Sequence, residues 1–67
     1  SPFDSMAHKT GQLRLKSGGY GFVDDVFVPR EIASQLEDQQ VVSVAIVKTL
    51  DKKKNQWGMS AIAILDH

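Results

Sequence analysis

Tyr20, Phe22 and Phe27 are the residues whose types and spacing best suggest a chemistry, and that chemistry is stacking rather than bond-breaking. Tyr20 and Phe22 stand at i and i+2, which puts both side chains on one face of a strand. An open aromatic face is unfavourable without a use. Unpaired bases supply one, since stacking on an aromatic side chain contributes roughly 1–3 kcal/mol per base. Arg14, Lys16, Lys52, Lys53 and Lys54 could meet the phosphates that join such bases. Trp57 follows the lysine run and could either stack on a base or fill the core.

Covalent and acid–base chemistry find no comparable foothold. The chain has no cysteine, which removes thiolate nucleophiles, thiolate metal sites and disulfides together. His8 and His67 lie at opposite ends, with no partner at ligand spacing, so no metal is expected. Asp24 and Asp25 are adjacent carboxylates in a tight turn, where neighbours diverge rather than converge on a substrate. Gly18-Gly19-x-Gly21 is too short and too strand-bound for a dinucleotide fingerprint. Neither Gly-x-Ser-x-Gly nor a P-loop is present. The expectation is a binding module without a cofactor, not an enzyme.

Eight basic and eight acidic residues cancel to zero formal charge. Strong nonspecific nucleic-acid binders are usually basic, because each neutralised phosphate releases counterions. Neutrality therefore argues against a tight, charge-driven binder, leaves room for a modest one that relies on stacking, and equally suits a barrel that docks a protein partner. With 67 residues there is room for one domain, and a chain this short buries only about 60% of its unfolded surface. No apolar run approaches the ~20 residues of a membrane span, and the start lacks the pattern of a signal peptide. A cytosolic or nuclear monomer, cut from a larger protein whose other domains could be partners, is the expectation.

Five strands must position the aromatic residues. Residues 1 to 10 show no periodicity and read as a flexible leader, with an appended remnant before Met6. From Gly11 to about Lys16, Leu13 and Leu15 alternate with Gln12, Arg14 and Lys16, which is a strand with one buried face. Ser17-Gly18-Gly19 is a turn, and Tyr20-Gly21-Phe22-Val23 is rich in strand formers. Asp24-Asp25 then reads as a two-residue hairpin into Val26-Phe27-Val28. Pro29 suits the first turn of a helix, and Ile32 and Leu36 stand at i and i+4. Residues 41 to 50 and 57 to 65 are two further strands, joined by the polar loop Asp51-Lys52-Lys53-Lys54-Asn55-Gln56.

If Asp24 and Asp25 form the turn, Val23 faces Val26, Phe22 faces Phe27 and Gly21 faces Val28. Opposed residues share a face, so valines line one side and Tyr20, Phe22 and Phe27 the other. The compact valine face suits a core, which turns the aromatic face outward. The alternative buries the aromatics and places the valines beneath the helix or a partner.

The residues are also familiar. Lys16-Ser17-Gly18-Gly19-Tyr20-Gly21-Phe22-Val23 resembles the first RNA-binding motif of cold-shock domains, Lys-Gly-Phe-Gly-Phe-Ile. Val26-Phe27-Val28-Pro29 resembles their second, Val-Phe-Val-His. The resemblance runs from Gly11 to about Leu65 and implies an all-β fold, a five-stranded OB-type barrel with a short helix after strand 3. It implies that Tyr20, Phe22 and Phe27 face single-stranded RNA or DNA, RNA being preferred. Three features depart from the family: Leu15 stands near the place of its first-strand tryptophan, the loop between motifs is cut to Asp24-Asp25, and Pro29 replaces the histidine. The acidic pair after Tyr20-Gly21 is similar to the cold-shock-like domain of Armitage-type RNA-silencing helicases. The Tyr-Gly-Phe strand also resembles the RNA-binding domain of the Rho terminator. A different class of function remains open, a protein-interaction barrel whose aromatic face docks a partner or a neighbouring domain.

Overall fold

A computed structural model describes residues 7–65. Its elements are β1 (His8–Leu15), β2 (Gly21–Val23), β3 (Val26–Val28), α1 (Arg30–Ala33), β4 (Val41–Asp51) and β5 (Gln56–Ile64). The strands close into a barrel in the order β1-β2-β3-β5-β4. All neighbours run antiparallel except β3 and β5, which are parallel. This is the all-β, five-stranded OB-type architecture with one short helix after β3.

Alternation in the sequence becomes burial in the barrel. Leu13, Val23, Val26, Val28 and Val44 are fully buried, and Ala33, Val42 and Ala61 complete the core. Leu15, Ile32, Leu36, Ile46 and Met59 pack around it half-buried. The core is aliphatic, so the arrangement that buries the aromatics is excluded.

β1 begins at His8 rather than Gly11. Backbone pairing sets that boundary, since residues 8–12 run against Ala45 to Val41 of β4 with no need of a hydrophobic period. The Thr10 and Ser43 hydroxyls add a cross-strand hydrogen bond of 2.6 Å, and the Ala7 carbonyl accepts from Ile46 N–H at 2.9 Å. Residues 8–10 are therefore strand and not leader; residues 1–6 lie outside the described part of the chain.

Pro29 precedes α1 as its N-cap, with φ −62° and ψ 157°, instead of entering its first turn. The chain after α1 returns to β1 where β4 leaves off. Gln39 N–H donates to the Leu13 carbonyl and Leu13 N–H to the Gln40 carbonyl, both at 2.8 Å. The Asp38 carboxylate accepts from Leu15 N–H at 2.9 Å. On the far side, β5 carries a bulge: Ala63 opposes Ala45 and Ala61 opposes Ile46, which leaves Ile62 as the extra residue.

Candidate nucleic-acid interface

The β2–β3 hairpin forms in the register that the two-residue turn demands, with Phe22 opposite Phe27, Val23 opposite Val26 and Gly21 opposite Val28. Asp24 takes φ 54°, the left-handed region that such a turn needs and that aspartate tolerates. Because the valines point inward, the rings point outward. Phe27 is 38% exposed and Tyr20 36%, while Phe22 is half-buried between them and the sheet.

The three rings form a triangle. Tyr20 lies 6.0 Å from Phe22, nearly edge-on, and 5.7 Å from Phe27. Phe22 and Phe27 are also 5.7 Å apart and edge-to-face. These contacts hold each ring against its neighbours while leaving ring surface open. Two glycines make the arrangement possible. Gly19 adopts φ 87° in the turn closed by Lys16 N–H to the Tyr20 carbonyl at 2.8 Å, and that turn delivers Tyr20 to the cluster. At Gly21 a Cβ would lie 2.9 Å from both the Arg14 carbonyl oxygen and Leu13 Cδ1, so β2 could not approach β1 with any side chain there. The glycine pattern thus serves the turn and the packing.

Register carries the face across the sheet. Arg14 opposes Phe22, Phe27 pairs with Ser60, and Ser60 opposes Val47. Arg14 and Lys16 are exposed on that flank. Beside the rings a groove of about 490 Å³ runs toward the end of the β4–β5 ribbon, lined by Phe22, Phe27, Thr49, Gly58, Met59, Ser60, Lys54 and two carboxylates, Asp25 and Asp51. Of the lysine run, only Lys54 lines this groove; Lys52 and Lys53 are exposed in the turn. Asp51 shapes that turn, its carboxylate accepting the backbone N–H of Lys53 at 3.0 Å and of Lys54 at 3.3 Å. Asp24 pairs with Lys9 Nζ at 3.3 Å.

Trp57 is placed differently from the rest. It opposes Leu50 and alternates with Gly58 and Ser60, so it faces away from Phe27. At 70% exposed it is not a core residue either. The structure therefore brings Arg14, Tyr20, Phe22, Phe27 and Lys54 to one face, keeps Lys16 beside it, and sets Trp57 on the reverse of the ribbon. Among the described residues no group of three or more histidines, cysteines or acids could hold a metal ion.

Sequence reasoning missed Thr49, Ser60 and Asp51, because the parallel β3–β5 pairing that sets the β4–β5 ribbon beside the hairpin is long-range, and it read Asp25 only as a turn residue. It also missed Arg30. A Cβ built on Gly19 would meet the Arg30 stem at 3.0 Å, so this cation lies over the turn before Tyr20. The only signal was its position directly after Pro29 at the end of β3.

Compared with known families, the chain matches S1/CSD-like domain 2 of the TOTE conflict systems over residues 8–64. No curated protein and no solved structure matches at a significant level.

Proposed function

Since the chain belongs to the S1/CSD-like domains of the TOTE conflict systems, a family of OB-type, nucleic-acid-binding character, we propose that it binds single-stranded nucleic acid, RNA in preference to DNA. The observation that carries this reading is the outward triangle of Tyr20, Phe22 and Phe27 over an entirely aliphatic core. Rings that fold no core are available to bases, and every base has a face to stack. Arg14 and Lys54 flank the rings, and Lys16 and Arg30 stand beside the turn that carries Tyr20.

The groove chemistry supports RNA. Asp25 and Asp51 repel phosphate but accept hydrogen bonds from a 2′-hydroxyl or a base amino group, and the Thr49 and Ser60 hydroxyls can do both. The strand would then lie with its phosphates toward the cations and its sugars and base edges toward the acids.

Titration of the labelled domain with matched single-stranded RNA and DNA, followed by NMR, tests this. Ring resonances of Tyr20, Phe22 and Phe27 should move first and most, with RNA binding more tightly. Shifts confined to surfaces away from these rings would reject the platform, and equal affinities would reject the RNA preference.

A further inference from the structure

The β4–β5 ribbon overshoots the barrel. β3 pairs with β5 only at Met59 and Ser60, so from Gly58 back to Gln56 the edge of β5 facing β3 carries no strand partner. The inward face of the ribbon consequently leaves the core and enters solvent: Ala61 is buried, Met59 half-buried and Trp57 70% exposed. Trp57 and its cross-strand neighbour Leu50, itself 42% exposed, are an apolar pair left largely in solvent.

An open hollow of about 770 Å³ lies on this reverse face, lined by Asp25, Lys48, Trp57, Gly58 and Met59. Its size is within the range of small-molecule sites, roughly 300–1,000 Å³, and ample for one nucleotide. Asp25, Gly58 and Met59 line both this hollow and the groove beside Phe22 and Phe27. The two sites therefore meet at the free edge of β5. At Gly58 nothing protrudes, and a Cβ built there would meet no atom within 4 Å.

We propose that Trp57 is a second stacking site for the same single strand, reached by the chain passing round the edge of β5 at Gly58. This rests on the proposed nucleic-acid binding and extends it to the reverse face. The occupant follows from continuity with the aromatic groove, because a strand on the rings that rounds Gly58 meets Trp57 next, with Lys48 in the hollow to offset Asp25. A base on the indole would be held by stacking, with Lys48 available to the phosphate on its flank.

Trp57 is the chain's one tryptophan, so its fluorescence reports on this site alone. The test compares single-stranded RNAs of about four and about ten nucleotides, the first long enough only for the platform. Binding is read by anisotropy of a labelled RNA and occupancy by quenching of Trp57. The longer RNA should bind more tightly and quench the indole, while the shorter binds without quenching. Trp57→Ala should lower affinity for the longer RNA by about 5- to 150-fold and leave the shorter unchanged. Trp57→Phe should restore part of the loss, and thermal unfolding should show each variant folded. If the longer RNA binds without quenching and Trp57→Ala changes nothing, the second site is wrong while the platform stands. If neither RNA binds, both readings fail.

Discussion

Asp25 shows how single residues tune a neutral domain. Its carboxylate lines the aromatic groove at the hairpin turn, where a phosphate passing the rings feels a like charge. Asp25→Asn keeps the turn chemistry and removes that charge. Affinity for single-stranded DNA, which has no 2′-hydroxyl to donate to that carboxylate, should rise about two- to fivefold at low salt, the size of one solvent-exposed charge interaction, and the gain should fade as salt is added. RNA should gain less, and an equal gain for both would mean that Asp25 accepts no hydrogen bond from the 2′-hydroxyl. Phe22, Phe27 and the valines between them were legible at this scale, because period 2 and a two-residue turn leave one register. The placement of Thr49 and Ser60 was not, since no local pattern reveals which strand will lie parallel to β3.

Among elements, the hairpin and the β4–β5 loop illustrate what a pattern can and cannot say. Asp24-Asp25 carried the resemblance to Armitage-type domains, yet its place in the structure is explained by the turn, where Asp24 takes φ 54° and pairs with Lys9. The lysine run could be read as phosphate contacts or as a solvated hairpin loop, with nothing in the sequence to rank the three residues. Folded, Asp51 draws the backbone of Lys53 and Lys54 into a tight turn, and only Lys54 reaches the groove. Replacing each lysine by Gln should separate them. Lys54→Gln should reduce the slope of log K against log salt by about 0.7, the single-strand value for one lost contact, and Lys52→Gln and Lys53→Gln by less. Equal effects from all three would mean that the loop acts as diffuse charge. β1 was misjudged at its start for a related reason: residues 8–10 are held by backbone pairing to β4, and backbone pairing leaves no mark on side-chain period.

At the scale of the whole molecule, the fold divides its side chains by shape. Small aliphatic residues fill a barrel that has little core to spare, and the rings of Tyr20, Phe22, Phe27 and Trp57 are left out of the core cluster. On the proposed function, a net charge of zero leaves stacking, rather than counterion release, as the main source of affinity. The most direct test compares wild type, Phe27→Ala and Leu13→Ala, with RNA titrations at two salt concentrations and denaturant unfolding of each. Leu13 is fully buried, so Leu13→Ala should cost about 2–5 kcal/mol of stability. Phe27→Ala should weaken RNA binding by roughly 1–3 kcal/mol with an unchanged salt slope, while costing well under the roughly 3–5 kcal/mol of a buried phenylalanine. If wild type shows no RNA binding even at low salt, or Phe27→Ala binds as wild type does, the aromatic face is not the nucleic-acid site.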